Sequence, residues 1–255
     1  MFKKVLFILS LCLALAFSNV FAVSDTYVPI LLYHNIAENY NAEDNLLHIT
    51  PERFKEHMQA LNNAGYTSIS YKDYQNYVKG LGEIPEKSII VAFDDGYLSN
   101  YTYAFPILKE FGMKAAIFIV TGSVDNDKTV YPHFGYAQAK EMLDSGLIEI
   151  GSHTHSHRSF KDLSYEETVT ELRKSKYLIE QNLGINCNLL AYPYGFDNDW
   201  TTNEAIKAGY EVVNIVGDTG TNRRSDGLYT LKRLTVSGHL TPDELIAMIE
   251  ENRAK

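Results

Sequence analysis

The chain has 255 residues, enough for one large domain with a substantial core, and its 32 acidic side chains outnumber its 23 basic ones. The resulting net charge of −9 argues against nucleic-acid binding and against electrostatic docking on anionic lipid. The sequence has two cysteines, Cys12 and Cys187, and Cys12 lies in the N-terminal segment described next. Cys187 is then the single cysteine left, so no intramolecular disulfide is expected.

Residues 1–22 have the pattern of a secretory signal peptide. Two lysines precede an apolar run over 5–17, and a small-residue cleavage site ends at Ala22. The apolar run is short for a membrane span, although an uncleaved anchor is the alternative interpretation. We therefore predict an exported chain with no stable membrane insertion after cleavage, and a single domain over 23–255. Its net charge is −11, because the leader removes two lysines and no acid.

Beyond the leader, short apolar runs alternate with amphipathic stretches that begin at capping residues such as Thr50 and Ser164. In chain order we predict a strand over 28–33, a helix over 51–65, a strand over 66–70, a helix over 71–79, a strand over 88–93, a helix over 100–111, a strand over 115–120, a helix over 134–145, a strand over 147–151, a helix over 164–183, a strand over 188–192, a helix over 200–208, strands over 210–215 and 229–236, and a helix over 242–253.

The predicted strands are apolar throughout, which is typical of parallel strands covered on both faces. Their alternation with helices fits a (β/α) barrel or a doubly wound sheet, and seven strand–helix units are one fewer than in a regular eight-fold barrel. In a barrel the C-terminal ends of all strands converge on one face, where active sites lie. Polar residues that follow the predicted strands would therefore meet there: His34, Asp94, Asp95, His153, His157 and Tyr194.

The stretch GSHTHSHRSF over 151–160 supplies three closely spaced histidines. Imidazole nitrogens are good ligands for a divalent ion such as Zn²⁺. His153 and His157, four residues apart, would share one face of a helical turn, whereas His153 with His155 would suit an extended loop. A solvated surface cluster is the alternative. With one carboxylate from elsewhere, two of these histidines would form a two-His, one-Asp site with open positions.

Residues 89–100 read IIVAFDDGYLSN, with two adjacent aspartates directly after a buried strand. Ionised carboxylates are costly to desolvate unless they are paired. Side chains of neighbouring residues diverge, so we predict that one aspartate faces a metal ion. The other would face the water beside it, where an ionised carboxylate can act as a general base. A simple turn is the alternative, because Asp and Gly favour turns.

In the order FDDG, HTHSH and AYPYG, these segments resemble the signature of the polysaccharide deacetylases, carbohydrate esterase family 4, whose domain is called the NodB-homology domain. The resemblance extends from about residue 28 to residue 236. It implies a distorted (β/α)7 barrel and a metal-dependent N- or O-deacetylase. By this resemblance Asp94 is the catalytic base, the backbone N–H of Tyr194 donates to the oxyanion, and the metal ligands are Asp95, His153 and His157.

Two positions depart from the family's pattern. The arginine that usually tethers the base is replaced by Ala191, and Arg233 in LKRLTV is a candidate substitute by its position. The usual acid histidine lies in a C-terminal Leu-x-His stretch, a form that His239 in TVSGHLTPDE lacks. His34 in PILLYHNI instead resembles the acid of the poly-N-acetylglucosamine deacetylase branch. We predict His34 rather than His239 as the acid; a histidine that only caps a strand end is the alternative.

The sequence thus predicts a secreted deacetylase that uses a divalent metal ion, Zn²⁺ before other first-row ions. Its partner would be an acetylated polysaccharide, either poly-N-acetylglucosamine-like or peptidoglycan-related, in the periplasm, cell wall or medium. A metal-dependent hydrolase of another bond, such as a phosphoester, is one alternative. A carbohydrate-binding protein with a decayed site is another, although the retained aspartates and histidines speak against decay. No oligomeric state is predicted.

Overall fold

The computed structural model describes residues 25–39, 47–195, 198–216 and 222–253. The predicted signal peptide and its cleavage site lie outside the described residues. Within the described part of the chain, no helix is both long enough and apolar enough to cross a membrane.

The described residues contain eleven strands and seven α-helices. The strands are β1 (Ile30–Tyr33), β2 (Asn35–Ile36), β3 (His48–Ile49), β4 (Thr67–Ser68), β5 (Ser88–Phe93), β6 (Ala115–Ile119), β7 (Ile148–Ser152), β8 (Leu189–Ala191), β9 (Val212–Asn214), β10 (Tyr229–Leu231) and β11 (Leu234–Thr235). The helices are α1 (Pro51–Asn63), α2 (Tyr71–Val78), α3 (Phe105–Phe111), α4 (Tyr136–Asp144), α5 (Tyr165–Leu183), α6 (Asp199–Lys207) and α7 (Pro242–Arg253).

Nine of the strands form one parallel sheet in the order β10-β9-β8-β7-β6-β5-β1-β11, with β4 also paired to β5. Its two end strands, β10 and β11, are joined in sequence by Lys232 and Arg233 alone. Such a link spans at most about 10 Å, so the sheet curls until its ends lie close together. The predicted (β/α) barrel is confirmed, and all seven predicted helices are present among the described residues.

Side chains along the strands alternate between two apolar clusters, as the period of two in a strand requires. Leu31, Val91 and Ile117 belong to the cluster that packs against the surrounding helices. Ile30, Ala92 and Phe118 belong to the inner cluster, to which α2 also contributes three tyrosines. Three polar residues continue the inward register beyond the C-terminal ends of β1, β5 and β7: His34, Asp94 and His153. Arg233, in the link between β10 and β11, keeps the inward register of Leu231.

The capping residues chosen from sequence begin their helices. Thr50 Oγ1 accepts a hydrogen bond from the Arg53 backbone N–H at 3.1 Å at the start of α1. Ser164 and Glu167 form a reciprocal capping box at the start of α5. Local signals of this kind place most helix ends within two residues of the predicted bounds, since capping satisfies backbone groups that the helix itself leaves unpaired.

Two predicted elements differ in detail from the structure. The helix predicted over 100–111 begins with a π-helical turn, Asn100–Ala104, before α3, where Pro106 has no N–H to continue the ordinary pattern. The strand predicted over 229–236 is divided into β10 and β11. The division follows from barrel closure, because the backbone at this point passes from one end of the sheet to the other, after a left-handed residue at Thr230 (φ 72°).

Candidate active site

Asp94 lies one residue beyond β5 at the mouth of the barrel, with 2% of its surface exposed. Arg233 holds it through a bidentate pair, with Nη1 donating to Oδ1 at 2.6 Å and Nη2 donating to Oδ2 at 2.8 Å. The guanidinium is fully buried, donates from Nε to the carbonyl of Ile215 at 3.1 Å, and lies 5.6 Å from the centre of the Phe118 ring. This geometry fixes the orientation of the Asp94 carboxylate.

The electrostatic environment keeps Asp94 ionised. Burial by itself raises the pKa of the carboxyl, but the charge and hydrogen bonds of Arg233, together with His153, outweigh it. The net result is a pKa of Asp94 well below the ordinary carboxyl range. Asp94 is therefore a carboxylate at neutral pH.

Beside Asp94, the ligand atoms of Asp95, His153 and His157 all lie within 4.8 Å of one another. Asp95 Oδ1 is 3.6 Å from His153 Nε2 and 3.3 Å from His157 Nε2. Bonds of about 2.0–2.2 Å at near-tetrahedral angles separate two ligand atoms by about 3.4 Å. One carboxylate and two imidazoles at this spacing fit a first-row divalent ion.

Ring orientation also suits metal binding. His153 Nδ1 donates a hydrogen bond to the carbonyl oxygen of Ala191 at 2.8 Å, so Nε2 is the ring nitrogen directed at the carboxylates, 3.6 Å from both Asp94 Oδ2 and Asp95 Oδ1. Burial, followed by the nearby His153, lowers the pKa of His157 and favours its neutral form. Neutral imidazole is the form that ligates metals.

The backbone brings the histidines together by a different route from the helical turn that their spacing suggested. Residues 153–157 are not helical; Thr154 (φ 67°) and His157 (φ 56°) adopt left-handed conformations that fold the loop back on itself. The two rings then lie 4.9 Å apart, centre to centre. His155 is directed elsewhere, with Nδ1 3.0 Å from Thr121 Oγ1.

The two histidines considered as the acid occupy different environments. The pKa of His34 is lowered by burial, and the opposing charges of Asp94 and Asp95 reduce that shift without cancelling it. His34 Nδ1 is buried and has no hydrogen-bond partner among the described residues. His239 is exposed, in the loop before α7, and its backbone N–H donates to Ser237 Oγ at 3.2 Å.

Tyr194 follows β8 and has a left-handed backbone (φ 59°). Its side chain is 70% exposed, and its ring centre lies 4.9 Å from that of His157. Both residues border an open cleft of about 430 Å³ that also includes Arg158, Ser159 and Asp162. A larger groove of about 970 Å³ lies outside the barrel between α1 and α7, and none of the site residues lines it.

The sequence of this chain is similar to those of one protein family. A model of the polysaccharide deacetylase family matches residues 82–213, more than half of the chain. The chain belongs to the polysaccharide deacetylase family. "Putative polysaccharide deacetylase YxkH" of Bacillus subtilis (strain 168) is 32% identical over 223 residues, which cover 88% of this chain and 76% of the relative. A poly-beta-1,6-N-acetyl-D-glucosamine N-deacetylase of Staphylococcus epidermidis is 28% identical over 200 residues, 74% of this chain and 68% of the relative.

Comparison with solved structures supports the same family. The Streptococcus pyogenes deacetylase PplD, solved in complex with acetate, superposes with a TM-score of 0.79 at 26% identity. The match covers 88% of this chain and 99% of that chain. The family assignment made from three short motifs is therefore confirmed, and with it the barrel fold and membership in a family of carbohydrate deacetylases.

Sequence reasoning anticipated some neighbours of the site and missed others. The suggested contact between Arg233 and Asp94 is present. An aromatic cluster beside Asp95 was missed: Tyr97 interacts with Asp95, the rings of Tyr97 and His133 lie 5.1 Å apart at 34°, and Tyr131 packs edge-on against Tyr97. The position of Tyr97 directly after the DDG stretch was an available signal, whereas the distant YPHF stretch offered none.

The Arg233 pair gives the first prediction. Arg233→Leu leaves Asp94 buried without its cation, and we expect a loss of about 3–5 kcal/mol in the free energy of unfolding, measured by urea denaturation. Arg253→Leu is the matched control, because Arg253 pairs with an exposed Glu86, and surface pairs contribute about 0–1 kcal/mol. Equal losses in the two variants would contradict a special role for the buried pair.

Proposed function

We propose that this protein is an extracytoplasmic, metal-dependent deacetylase that hydrolyses the N-acetyl groups of a glycan, either poly-N-acetylglucosamine-like or peptidoglycan-related. One observation carries the proposal: an ionised, tethered carboxylate at Asp94 stands beside a carboxylate and two imidazoles at metal-ligand spacing. Family membership and the poly-beta-1,6-N-acetyl-D-glucosamine N-deacetylase relative support the reaction and the substrate class.

In this proposal Asp95, His153 and His157 hold the ion, and Zn²⁺ suits a set of one carboxylate and two imidazoles. A bound divalent ion supplies Lewis acidity, which polarises an acetyl carbonyl and makes a neighbouring water a stronger nucleophile. The remaining tasks fall to the chain's own side chains and backbone.

Asp94 acts as the general base and takes the proton of the attacking water. Its orientation is fixed by Arg233, so the carboxylate meets the water without reorganising. The developing oxyanion accepts a hydrogen bond from the backbone N–H of Tyr194, whose position next to His157 supports this role.

His34 acts as the general acid and donates a proton to the leaving amine. It continues the inward register of β1 beside Asp94 and Asp95, whose negative charges partly offset the burial that lowers the pKa of His34. An amine is a poor leaving group unless it is protonated, so hydrolysis of an amide depends on such a donor.

Location outside the cytoplasm is supported by the signal-peptide pattern of residues 1–22 and by a glycan-deacetylating relative. The net negative charge of the chain is consistent with a neutral or cationic glycan partner and unfavourable for nucleic acid.

Metal content tests the ligand set. His157→Ala should lower metal occupancy sharply, because it removes one of three protein ligands, while circular dichroism shows the fold retained. His155→Ala is the matched control, one loop position away with its ring turned to Thr121, and should keep its metal. A loss of metal in the His155 variant alone would reverse the assignment.

Substrate class is tested by a panel of glycans. The purified protein should release acetate from β-1,6-linked N-acetylglucosamine oligomers or peptidoglycan fragments, and a chelator should stop the release. Phosphoester substrates in the same panel should yield no phosphate. Release of phosphate without acetate would overturn the proposed reaction.

A further inference from the structure

The loop between His153 and His157 is held by hydrogen bonds to the carboxylate of Glu171, which has no part in the proposed chemistry. Glu171 lies in α5 and is 9% exposed. Its Oε2 accepts hydrogen bonds from the backbone N–H groups of His155 and Ser156, both at 2.8 Å, and its Oε1 accepts from Ser156 Oγ at 2.7 Å. All three donors belong to the segment that joins His153 to His157.

The turn that follows β6 holds the same loop from the other side by two backbone hydrogen bonds. The backbone N–H of Thr121 donates to the carbonyl of Thr154 at 3.1 Å, and that of Gly122 donates to the carbonyl of His155 at 2.8 Å. A side chain at Gly122 would not fit, because its Cβ would lie 2.5 Å from the His155 carbonyl oxygen. The loop therefore turns its carbonyls toward β6 and its N–H groups toward Glu171.

These hydrogen bonds can compensate the backbone strain of this loop. Thr154 and His157 both adopt left-handed backbone conformations, which a non-glycine residue occupies only when its surroundings compensate the strain. His157 is itself a candidate ligand, 3.3 Å from Asp95 Oδ1. Release of the loop would allow His157 to move away from the position in which it and His153 face the same carboxylate.

We propose that Glu171 is a positioning residue for the metal centre. Its carboxylate fixes the His155 and Ser156 peptides, so that His157 is held ready for the ion before the ion arrives. A preorganised site binds its metal more tightly, since less ordering remains to be done on binding. The inference rests on the metal-binding part of the proposed function and goes beyond its ligand set.

Metal affinity of the purified protein tests this directly. Apo-protein is prepared with a chelator, Zn²⁺ affinity is measured by competition with a chromophoric chelator, and the visible spectrum of the Co²⁺-loaded protein reports ligand geometry. Glu171→Gln keeps the shape but loses the charge and one acceptor, and should weaken Zn²⁺ binding about 10–100-fold with a changed Co²⁺ spectrum. Glu166→Gln, an exposed acid on the same helix, should bind as wild type.

If Glu171→Gln does not fold, a second variant with a smaller change, Ser156→Ala, still tests the proposal. Ser156→Ala removes a single hydrogen bond to Glu171 from an exposed position and should weaken Zn²⁺ binding about three-fold. If the role of Glu171 is only structural, its replacement should lower the unfolding temperature of the apo-protein and leave the metal affinity unchanged. Zn²⁺ affinity within about two-fold of wild type in every folded variant would overturn the proposal.

Failure here is distinguishable from failure of the proposed function. A wild-type protein that binds no Zn²⁺ would remove the metal centre itself. A wild-type protein that binds Zn²⁺ and releases acetate, alongside Glu171 and Ser156 variants of equal affinity, would remove only the role of Glu171.

Discussion

Asp94→Asn should lose most of the deacetylase activity, on the order of 10²–10⁴-fold, while keeping its metal. The amide has nearly the shape of the carboxylate but cannot accept the proton of the attacking water. The proposed ligands Asp95, His153 and His157 are unchanged, so metal content, measured by elemental analysis, should equal that of wild type. Acetate release from an N-acetylated glycan measures the loss.

The substitution also withdraws the negative charge that faces the buried Arg233, so a lower unfolding temperature is expected. Activity is therefore compared at a temperature where circular dichroism shows both proteins folded. Asp243→Asn, an exposed acid at the start of α7, is the control and should be fully active. Near-normal turnover of the Asp94 variant at full metal content would refute its role as the base.

His34→Ala should reduce amide hydrolysis by a comparable factor, on the order of 10²–10⁴-fold, again with metal retained. The expected cause is loss of the proton donor to the leaving amine. His239→Ala should have little effect, because His239 is exposed in the loop before α7. Acetate release from the same glycan, with metal content measured in parallel, checks both variants.

An activated aryl acetate sharpens this test. Its phenolate leaving group departs without a proton, so His34→Ala should lose far less activity on the ester than on the amide. Equal losses on both substrates would point to a damaged site rather than a missing acid. Should His239→Ala lose activity and His34→Ala keep it, the chain would follow the common arrangement of the family, and its link to poly-N-acetylglucosamine-like substrates would lose its main support.

Much of the fold was predictable because its signals are local. The six-residue strand β5, apolar after Ser88, and the capped, amphipathic α7 were predicted with the same bounds that the structure has. Each segment carries its own evidence: an apolar run of strand length for β5, and a proline start for α7. The order of three short motifs then predicted the family, which family-level comparison confirms.

Contacts that form only when the barrel closes could not be predicted from the sequence. Arg233 and Asp94 are 139 residues apart, and their pairing depends on the link between β10 and β11 that joins the two ends of the sheet. The position of Arg233 in the sequence suggested the contact, but its bidentate geometry could not be predicted from the sequence.

Loop geometry and helix orientation were equally inaccessible. The spacing of His153 and His157 suggested a helical turn, whereas left-handed residues fold the loop instead. Glu171 looked like any acid on an amphipathic helix, because only the docking of α5 against the loop decides which acid is buried.

The central claim is that a metal ion at Asp95, His153 and His157, with Asp94 as base, removes acetyl groups from an N-acetylated glycan. The most direct measurement follows acetate release from β-1,6-linked N-acetylglucosamine oligomers while chelator-treated protein is titrated with Zn²⁺. We predict no release without metal, recovery in proportion to bound Zn²⁺ up to a single ion per chain, and no recovery in fully loaded Asp94→Asn. Undiminished release from metal-free protein, or full recovery in the Asp94 variant, would contradict the account.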